Sequence, residues 1–116
     1  MDSDLVKVIQ TLKKIVELLV QKKYRELEQL SGGFRLTAAE MDQAISDYDE
    51  VLVLPPDSDY KNVDAIEVTG SQPRSWSIRY DLWTEEEGRS DLSLEATFIE
   101  NDQEIMGVEI DNIHVL

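Results

Sequence analysis

The sequence contains no cysteine, a single histidine and no unbroken apolar run longer than four residues. The absence of cysteine excludes disulfides, thiolate chemistry and cysteine metal sites, and it is typical of a reducing compartment. No segment is long enough to span a bilayer, and the N-terminus lacks the pattern of a signal peptide. We therefore expect a cytoplasmic protein without a membrane segment.

Basic residues are also scarce, and they are unevenly placed. The 116 residues include 11 lysines and arginines against 25 aspartates and glutamates, for a net charge of −14. Residues 1–35 carry seven basic and five acidic groups, whereas residues 36–116 carry four basic and twenty acidic groups. Such a field repels nucleic acids and anionic membranes and favours a basic partner, although acidity can equally serve solubility alone.

Two helices are predicted before residue 35. Apolar residues recur at spacings of three and four over residues 5–19, which is typical of one face of an amphipathic helix. The pattern drifts at residues 21–23 and resumes over residues 24–30, which indicates a bend or a second short helix. Gly32 or Gly33 is expected to end it with a positive φ.

A third helix is predicted over residues 38–48. Thr37 and Glu40 have the spacing of a capping box, in which each side chain accepts a hydrogen bond from the other residue's backbone. Residues 51–54 then predict a short edge strand or an extended connection, ended by two prolines.

The C-terminal third alternates apolar and polar residues and predicts antiparallel strands. A weaker strand is expected over residues 65–69, strong ones over 76–83, 92–98 and 106–110, and a bulge near Asn112. Helices followed by a meander indicate an α+β fold, with N-terminal helices packed on one face of a curved antiparallel sheet of about four strands. No linker divides residues 1–116, so we expect a single domain.

Matching the apolar faces of the strands fixes a register, because a slip of one residue would turn every side chain over. The register predicted for the first hairpin sets Leu82 beside Leu92 and Arg79 beside Glu95. Extending it to the last strand sets Glu109 beside Glu95, and Asp111 beside Ser93. The resulting candidate surface cluster lies on the polar face of the sheet and comprises Arg79, Asp81, Trp83, Glu95, Glu109 and Asp111.

This cluster has two interpretations. Adjacent carboxylates near a guanidinium can split their pKa values and act as acid and base, or they can bind a cation. The alternative is a solvated face on which Arg79 relieves repulsion between Glu95 and Glu109. Trp83 on such a face is either partly covered by another segment or an anchor for association.

Other chemical motifs are weak. His114 is the only histidine and is expected to decorate the last strand rather than act as a base. Residues 57–61 begin like a calcium loop, but Lys61 occupies a ligand position. We therefore expect no catalytic residue, no metal site and no cofactor.

Residues 76–92 and 108–116 resemble an uncharacterised family of small bacterial proteins. The family has no assigned activity, and the resemblance implies a bacterial, intracellular, single-domain protein. The order of elements is also similar to nuclear transport factor 2-like and cystatin-like architectures, which host enzymes, binders and inert dimers alike.

The leading functional hypothesis is a protein-interaction module, namely an acidic inhibitor or immunity-type protein for a basic partner. The alternative is a small-molecule-binding or enzymatic domain with a pocket between helices and sheet. A third hypothesis is a homodimer joined through the Trp83 face.

Overall fold

The computed structural model describes residues 3–32 and 35–115. Three helices come first, so of the two alternatives expected at residues 21–23, a bend or a second short helix, the structure has the second helix. The three helices are α1 (Ser3–Val20), α2 (Tyr24–Ser31) and α3 (Ala38–Tyr48).

The predicted helix ends are confirmed where they can be seen. Gly32 follows α2 with φ 73°, the left-handed conformation that glycine adopts without steric cost. Gly33, the other predicted stop, lies outside the described residues. Thr37 caps α3 by accepting the Glu40 amide hydrogen, and the Glu40 side chain accepts the Thr37 amide hydrogen in return. The predicted capping box is therefore confirmed.

Five antiparallel strands follow, and a six-residue 3₁₀ helix, Asp57–Asn62, separates the first two. The strands are β1 (Leu52–Val53), β2 (Asp64–Glu67), β3 (Ser75–Thr84), β4 (Gly88–Ile99) and β5 (Gly107–Val115). The α+β class with N-terminal helices on a curved antiparallel sheet is confirmed. About four strands were predicted. The fifth strand is the two-residue β1, which lies in the segment predicted to be a short edge strand or an extended connection.

β3 is the strand on which the others depend. β4 pairs with one edge of β3, and β5 pairs with the far edge of β4. β1 and β2 share the other edge of β3, with β1 beside residues 83–84 and β2 beside residues 76–79. A gap opposite residues 80–82 is left between them.

The helices cover one face of the sheet, called the inner face here. Buried side chains of α1 meet those of the inner face in a single cluster of the described residues. Phe98, Leu94 and Leu12 are fully buried at its centre. Close packing of this kind supplies most of the stability of helices too short to persist alone.

The register predicted for the β3–β4 hairpin is confirmed over residues 75–81 of β3. Arg79 pairs with Glu95, and Asp81 pairs with Ser93, as expected. The register shifts between Asp81 and Trp83, so the predicted pairing of Leu82 with Leu92 falls at the irregularity.

The register predicted for the last strand is wrong by two residues before the bulge and by three beyond it. Glu109 pairs with Thr97 rather than with Glu95, and Ser93 pairs with His114 rather than with Asp111. Alternation of apolar residues fixes which face a side chain occupies, but a two-residue shift preserves the faces and escapes the pattern. The predicted bulge is present, because the register shifts at Asp111.

Over residues 3–32 and 35–115, no helix combines the length and apolar character that crossing a membrane requires.

A buried hydroxyl joins α1 to the start of β5. The Thr11 side chain is fully buried, donates to the Lys7 carbonyl at 2.8 Å and accepts the Met106 amide hydrogen at 2.9 Å. The Lys7 ammonium adds a bond of 2.7 Å to the Asn101 carbonyl. The connection between β4 and β5 is thereby attached to the first helix.

We predict that Thr11→Val lowers the free energy of unfolding by about 1–3 kcal/mol, because the isosteric side chain leaves the buried Met106 amide without an acceptor. Urea denaturation followed by tryptophan fluorescence measures this. Thr11→Ser keeps the hydroxyl and is the matched control. If valine proves no more damaging than serine, the buried hydrogen bond does not stabilise the fold.

Candidate functional site

The face of the sheet opposite the helices, called the outer face here, carries the candidate surface cluster. All six predicted residues lie on β3, β4 or β5. Arg79, Glu95 and Asp111 together line one open hollow of about 380 Å³, and Asp81 lines a neighbouring polar cleft with Arg79. Five of the six residues form three local groups of contacts, and Trp83 makes a separate contact with the 3₁₀ helix.

The first group is a row across the sheet centred on Arg79. Its Cα partners are Asp64 on β2 and Glu95 on β4, and Glu95 pairs in turn with Asn112. The Arg79 guanidinium lies 3.6 Å from the Asp64 carboxylate and is about half exposed. Glu95 therefore has no second carboxylate beside it in the row, contrary to the expectation for Glu109.

The second group joins Asp81 to β4. Arg89 donates to one oxygen of Asp81 at 3.0 Å, and the Ser93 hydroxyl donates to the other at 2.8 Å. Both carboxylate oxygens are thus occupied. This arrangement attaches the Asp81 carboxylate to two side chains of β4.

The third group surrounds Asp111 at the bulge. The Thr97 hydroxyl donates to one Asp111 oxygen at 2.8 Å. The other oxygen lies 3.2 Å from the Arg35 Nε but is buried without a hydrogen bond, because the distance fits an ion pair while the angle does not fit a bond. Glu109 stands beside Thr97 in the register and is separate from the Arg79 row.

One contact on this face was missed by the sequence reasoning. The His114 Nε2 lies 2.5 Å from a Glu95 oxygen, and both side chains are about a third exposed. The predicted register had placed Glu109 beside Glu95, where the structure places Asn112. His114 pairs with Ser93, and its side chain reaches Glu95 from that neighbouring position.

Two alternatives were expected for Trp83, namely partial cover by another segment or a role as an anchor for association. The structure shows partial cover. The Trp83 side chain is half-buried, and its indole N–H donates to Asp59 of the 3₁₀ helix at 2.9 Å. The Tyr80 hydroxyl donates to the same Asp59 oxygen. Because Tyr80 belongs to the inner face and Trp83 to the outer face, one carboxylate fastens both sides of β3 where the gap between β1 and β2 leaves its edge unpaired.

Aromatic and charged contacts also hold the 3₁₀ helix in place beside β3. Tyr60 stacks on Tyr80 with ring centroids 5.8 Å apart. The Lys13 ammonium lies 5.4 Å from the centre of the Tyr60 ring and 2.8 Å from the Asp57 carboxylate. Burial, with neighbouring carboxylates, raises the pKa of Tyr60 to about 12. The 3₁₀ helix is thereby held between α1 and β3.

The ionised form of Asp59 is favoured by its donors. Burial by itself would raise the pKa of Asp59, but hydrogen bonds from Tyr80, Asn62 and Trp83 outweigh it and leave the pKa below its ordinary value. Burial and the bond to Asp59 raise the pKa of Tyr80 well above its usual range, so the phenol remains a donor.

We predict that Asp59→Asn costs about 2 kcal/mol of unfolding free energy at pH 7, because hydrogen bonds to a charged acceptor are lost. The folded-state pKa is lowered, so the stabilisation is present above the ordinary value of 3.8 and is lost as the pH falls below it. The stability difference between wild type and variant should therefore shrink in acid, as measured by urea denaturation across pH.

Asp57→Asn is the matched control for this substitution. Asp57 lies in the same 3₁₀ helix, its side chain is 85% exposed, and its ion pair with Lys13 is of the surface type worth less than about 1 kcal/mol. Equal losses in the two variants would show that the Asp59 hydrogen bonds contribute nothing particular.

A second surface, which the sequence reasoning did not identify, lies where α1, α3 and β1 meet. It is a groove of about 450 Å³. Apolar side chains line its base, carboxylates line its rim, and one basic residue, Lys22, also contributes. The lining residues are Leu19, Val20, Lys22, Tyr24, Asp42, Ile45, Ser46, Asp49, Glu50, Val51, Leu52 and Glu86. We call this surface the acidic groove.

The acidic groove exists because the tip of the β3–β4 hairpin meets the end of α3. Glu86 accepts the Val51 amide hydrogen at 3.1 Å, and the Val51 carbonyl accepts the Glu85 amide hydrogen at 2.8 Å. The Tyr48 hydroxyl donates to Glu87 at 2.6 Å. Two acidic segments, residues 42–50 and 85–91, are therefore brought together at one end of the molecule.

The carboxylates at this end are crowded enough to affect one another. A hydrogen bond to Glu87 raises the pKa of Glu50. Hydrogen bonds from Tyr48 and then from Glu50 lower the pKa of Glu87.

Backbone conformation adds a further feature of the groove. Among the described residues, Lys22 and Asp49 are the non-glycine residues with positive φ, at 59° and 58°, and both line the acidic groove. A left-handed conformation costs a non-glycine residue about 1–2 kcal/mol, which the surrounding packing must offset.

Over residues 3–32 and 35–115, no group of three or more histidines, aspartates or glutamates is arranged so that it could hold a metal ion.

Comparison with known proteins identifies the family. Residues 16–116 match a family whose description is Domain of unknown function (DUF7668), so the chain belongs to this family. The resemblance to an uncharacterised family, drawn from the C-terminal third, is confirmed and extends over the helices α2 and α3 as well. No curated protein and no solved structure matches the chain.

Proposed function

We propose that this protein is a cytoplasmic protein-interaction domain that binds a basic partner protein, in the manner of an inhibitor or immunity-type protein. The observation that carries the proposal is the meeting of two acidic segments, residues 42–50 and 85–91, around an open groove. The lack of cysteine supports a reducing compartment. The resemblance described above favours a bacterial source.

The internal ion pairs leave the acidity uncompensated. Of the four basic residues after residue 36, Arg74, Arg79 and Arg89 already pair with carboxylates. The Arg74 and Arg79 pairs lie along the sheet, and Arg89, although it directly follows the turn of the hairpin, is engaged by Asp81. Lys22 is the one basic residue that lines the acidic groove, against four carboxylates, so cations of a partner would complement this surface.

Electrostatics of this kind favour rapid and salt-sensitive association. A region of one charge sign steers an oppositely charged partner and raises the association rate, and salt screens this attraction over about 10 Å at 0.1 M. Association of two copies through the same acidic end would be repulsive, and Trp83 is partly covered by the 3₁₀ helix. A basic partner is thus favoured over a homodimer joined at either place.

The alternative function, binding or turnover of a small molecule, requires a pocket between helices and sheet. The space between α1 and the sheet that Val16, Leu19 and Leu82 line leaves no room for a water molecule. Among the described residues, the outer face carries an open polar cleft of about 280 Å³ lined in part by Arg79 and Asp81, and an open hollow of about 380 Å³ lined in part by Arg79, Glu95 and Asp111. A surface function is therefore the better supported of the two.

We predict that immobilised protein retains a basic host protein at 50 mM NaCl and releases most of it at 300 mM. Quantitative mass spectrometry of the retained fraction measures this, with a poly-glutamate resin as the control for acidity alone. Retention of an acidic protein, or retention that is indifferent to salt, would contradict the proposal.

A further inference from the structure

We infer that the acidic groove is the docking site, and that its occupant is a short segment of the basic partner that carries both lysine or arginine and apolar side chains. This inference rests on the proposed function and specifies where and how binding occurs. It commits to a peptide segment of another protein.

The first observation that supports this inference is the shape and lining of the acidic groove. Val51 is 54% exposed although it is flanked by the buried Leu52, and Val20 beside it is half-buried. The edges of Leu52 and Ile45 close the base. Apolar side chains laid into this base would remove exposed apolar surface from water, which is the main driving force of association.

The charges at the rim carry the second step. Asp42, Asp49, Glu50 and Glu86 face the groove, with Lys22 as the one basic residue of its lining. Asp42 accepts only from the Ser46 hydroxyl, and Glu86 accepts from the Val51 amide, so neither carboxylate is neutralised by a cation there. Charge complementarity therefore requires a basic segment and excludes an acidic one.

The two ends of the acidic groove differ in charge, and this difference orients the bound segment. Past Tyr24 and Asp42 the surface continues into a second hollow that Lys22, Lys23 and Arg25 line. Basic side chains of the partner should therefore lie over the β1 end, beside Glu50 and Glu86. The part of the segment that extends toward Lys23 should lack positive charge.

The probe for the test is a nine-residue peptide with alternating lysine and leucine in its first six positions and serine in the last three. Two counterparts replace either the lysines or the leucines by serine. Amide chemical shifts in two-dimensional NMR locate the binding site. With the parent peptide we expect saturable shifts confined to residues 19–24, 42–52 and 86, and binding at least fivefold weaker with either counterpart.

Paired variants separate the groove from general acidity. Asp49→Asn with Glu86→Gln should weaken binding about three- to tenfold, because each rim contact with a lysine contributes on the order of 0.2–1 kcal/mol and is lost. The matched control, Asp102→Asn with Glu104→Gln, makes the same change on the exposed β4–β5 loop and should alter affinity less than twofold. Unchanged NMR spectra of the free variants confirm folding.

A second pair of variants tests the apolar base. Val51→Thr keeps the shape of the side chain and should weaken binding two- to fivefold. Val115→Thr is its control, since Val115 is 55% exposed and belongs to the end of β5. Equal effects of Val51→Thr and Val115→Thr, or equal effects of the two acidic pairs, would overturn the assignment of the groove.

The outcomes distinguish this inference from the proposed function. Shifts on the outer face, or none up to millimolar peptide, would overturn the groove, while salt-sensitive retention of a basic host protein would still support the function. If the peptide fills the groove but no basic host protein is retained, the groove is supported as a peptide site and the proposed function fails.

Discussion

The long β3–β4 hairpin is the constraint on which the rest of the structure depends. Its inner face supplies the centre of the core, including Phe98 and Leu94, and its free edges accept β1, β2 and β5. Its tip turns at Gly88, where φ is 72° and the ring of Trp83 lies 3.5 Å from the position of a Cβ. A side chain at that position would be strained, so the length and position of the tip are fixed by the backbone. The end of α3 then meets the tip, and the acidic groove follows from that meeting.

Asp59 compensates for the one weakness of this hairpin. β3 has no strand partner opposite residues 80–82 on the edge that β1 and β2 share, and an unpaired stretch of a central strand invites local opening. The carboxylate of Asp59 closes this stretch by accepting from Tyr80 and from Trp83 at once. Ion pairs on and beside the sheet engage Arg74, Arg79 and Arg89. Lys22 is the one basic residue in the lining of the acidic groove, which therefore keeps an excess of negative charge.

The sequence predicted the local features well because each depends on residues close in the chain. The helix over residues 38–48 was recognisable from Thr37 and Glu40, and the pairing of Arg79 with Glu95 followed from alternation across a short turn. The register of β5 before the bulge was missed by two residues, since a longer connection precedes it and alternation cannot detect an even shift. The contact of His114 with Glu95 was lost with it. The acidic groove could not be predicted, because Val51 and Glu86 meet across 35 residues of chain and only the tertiary fold joins them.

We propose that a basic segment of a partner binds at the end of the molecule where α3 meets the hairpin tip. The most direct measurement places a photoreactive benzoylphenylalanine at position 51, irradiates the protein in an extract of host cells and sequences the cross-linked peptides. The same probe at position 115, equally exposed at the other edge of the sheet, is the reference. The account predicts that position 51 captures lysine- or arginine-rich segments well above the level at position 115. Capture of acidic segments, or equal capture at the two positions, would contradict it.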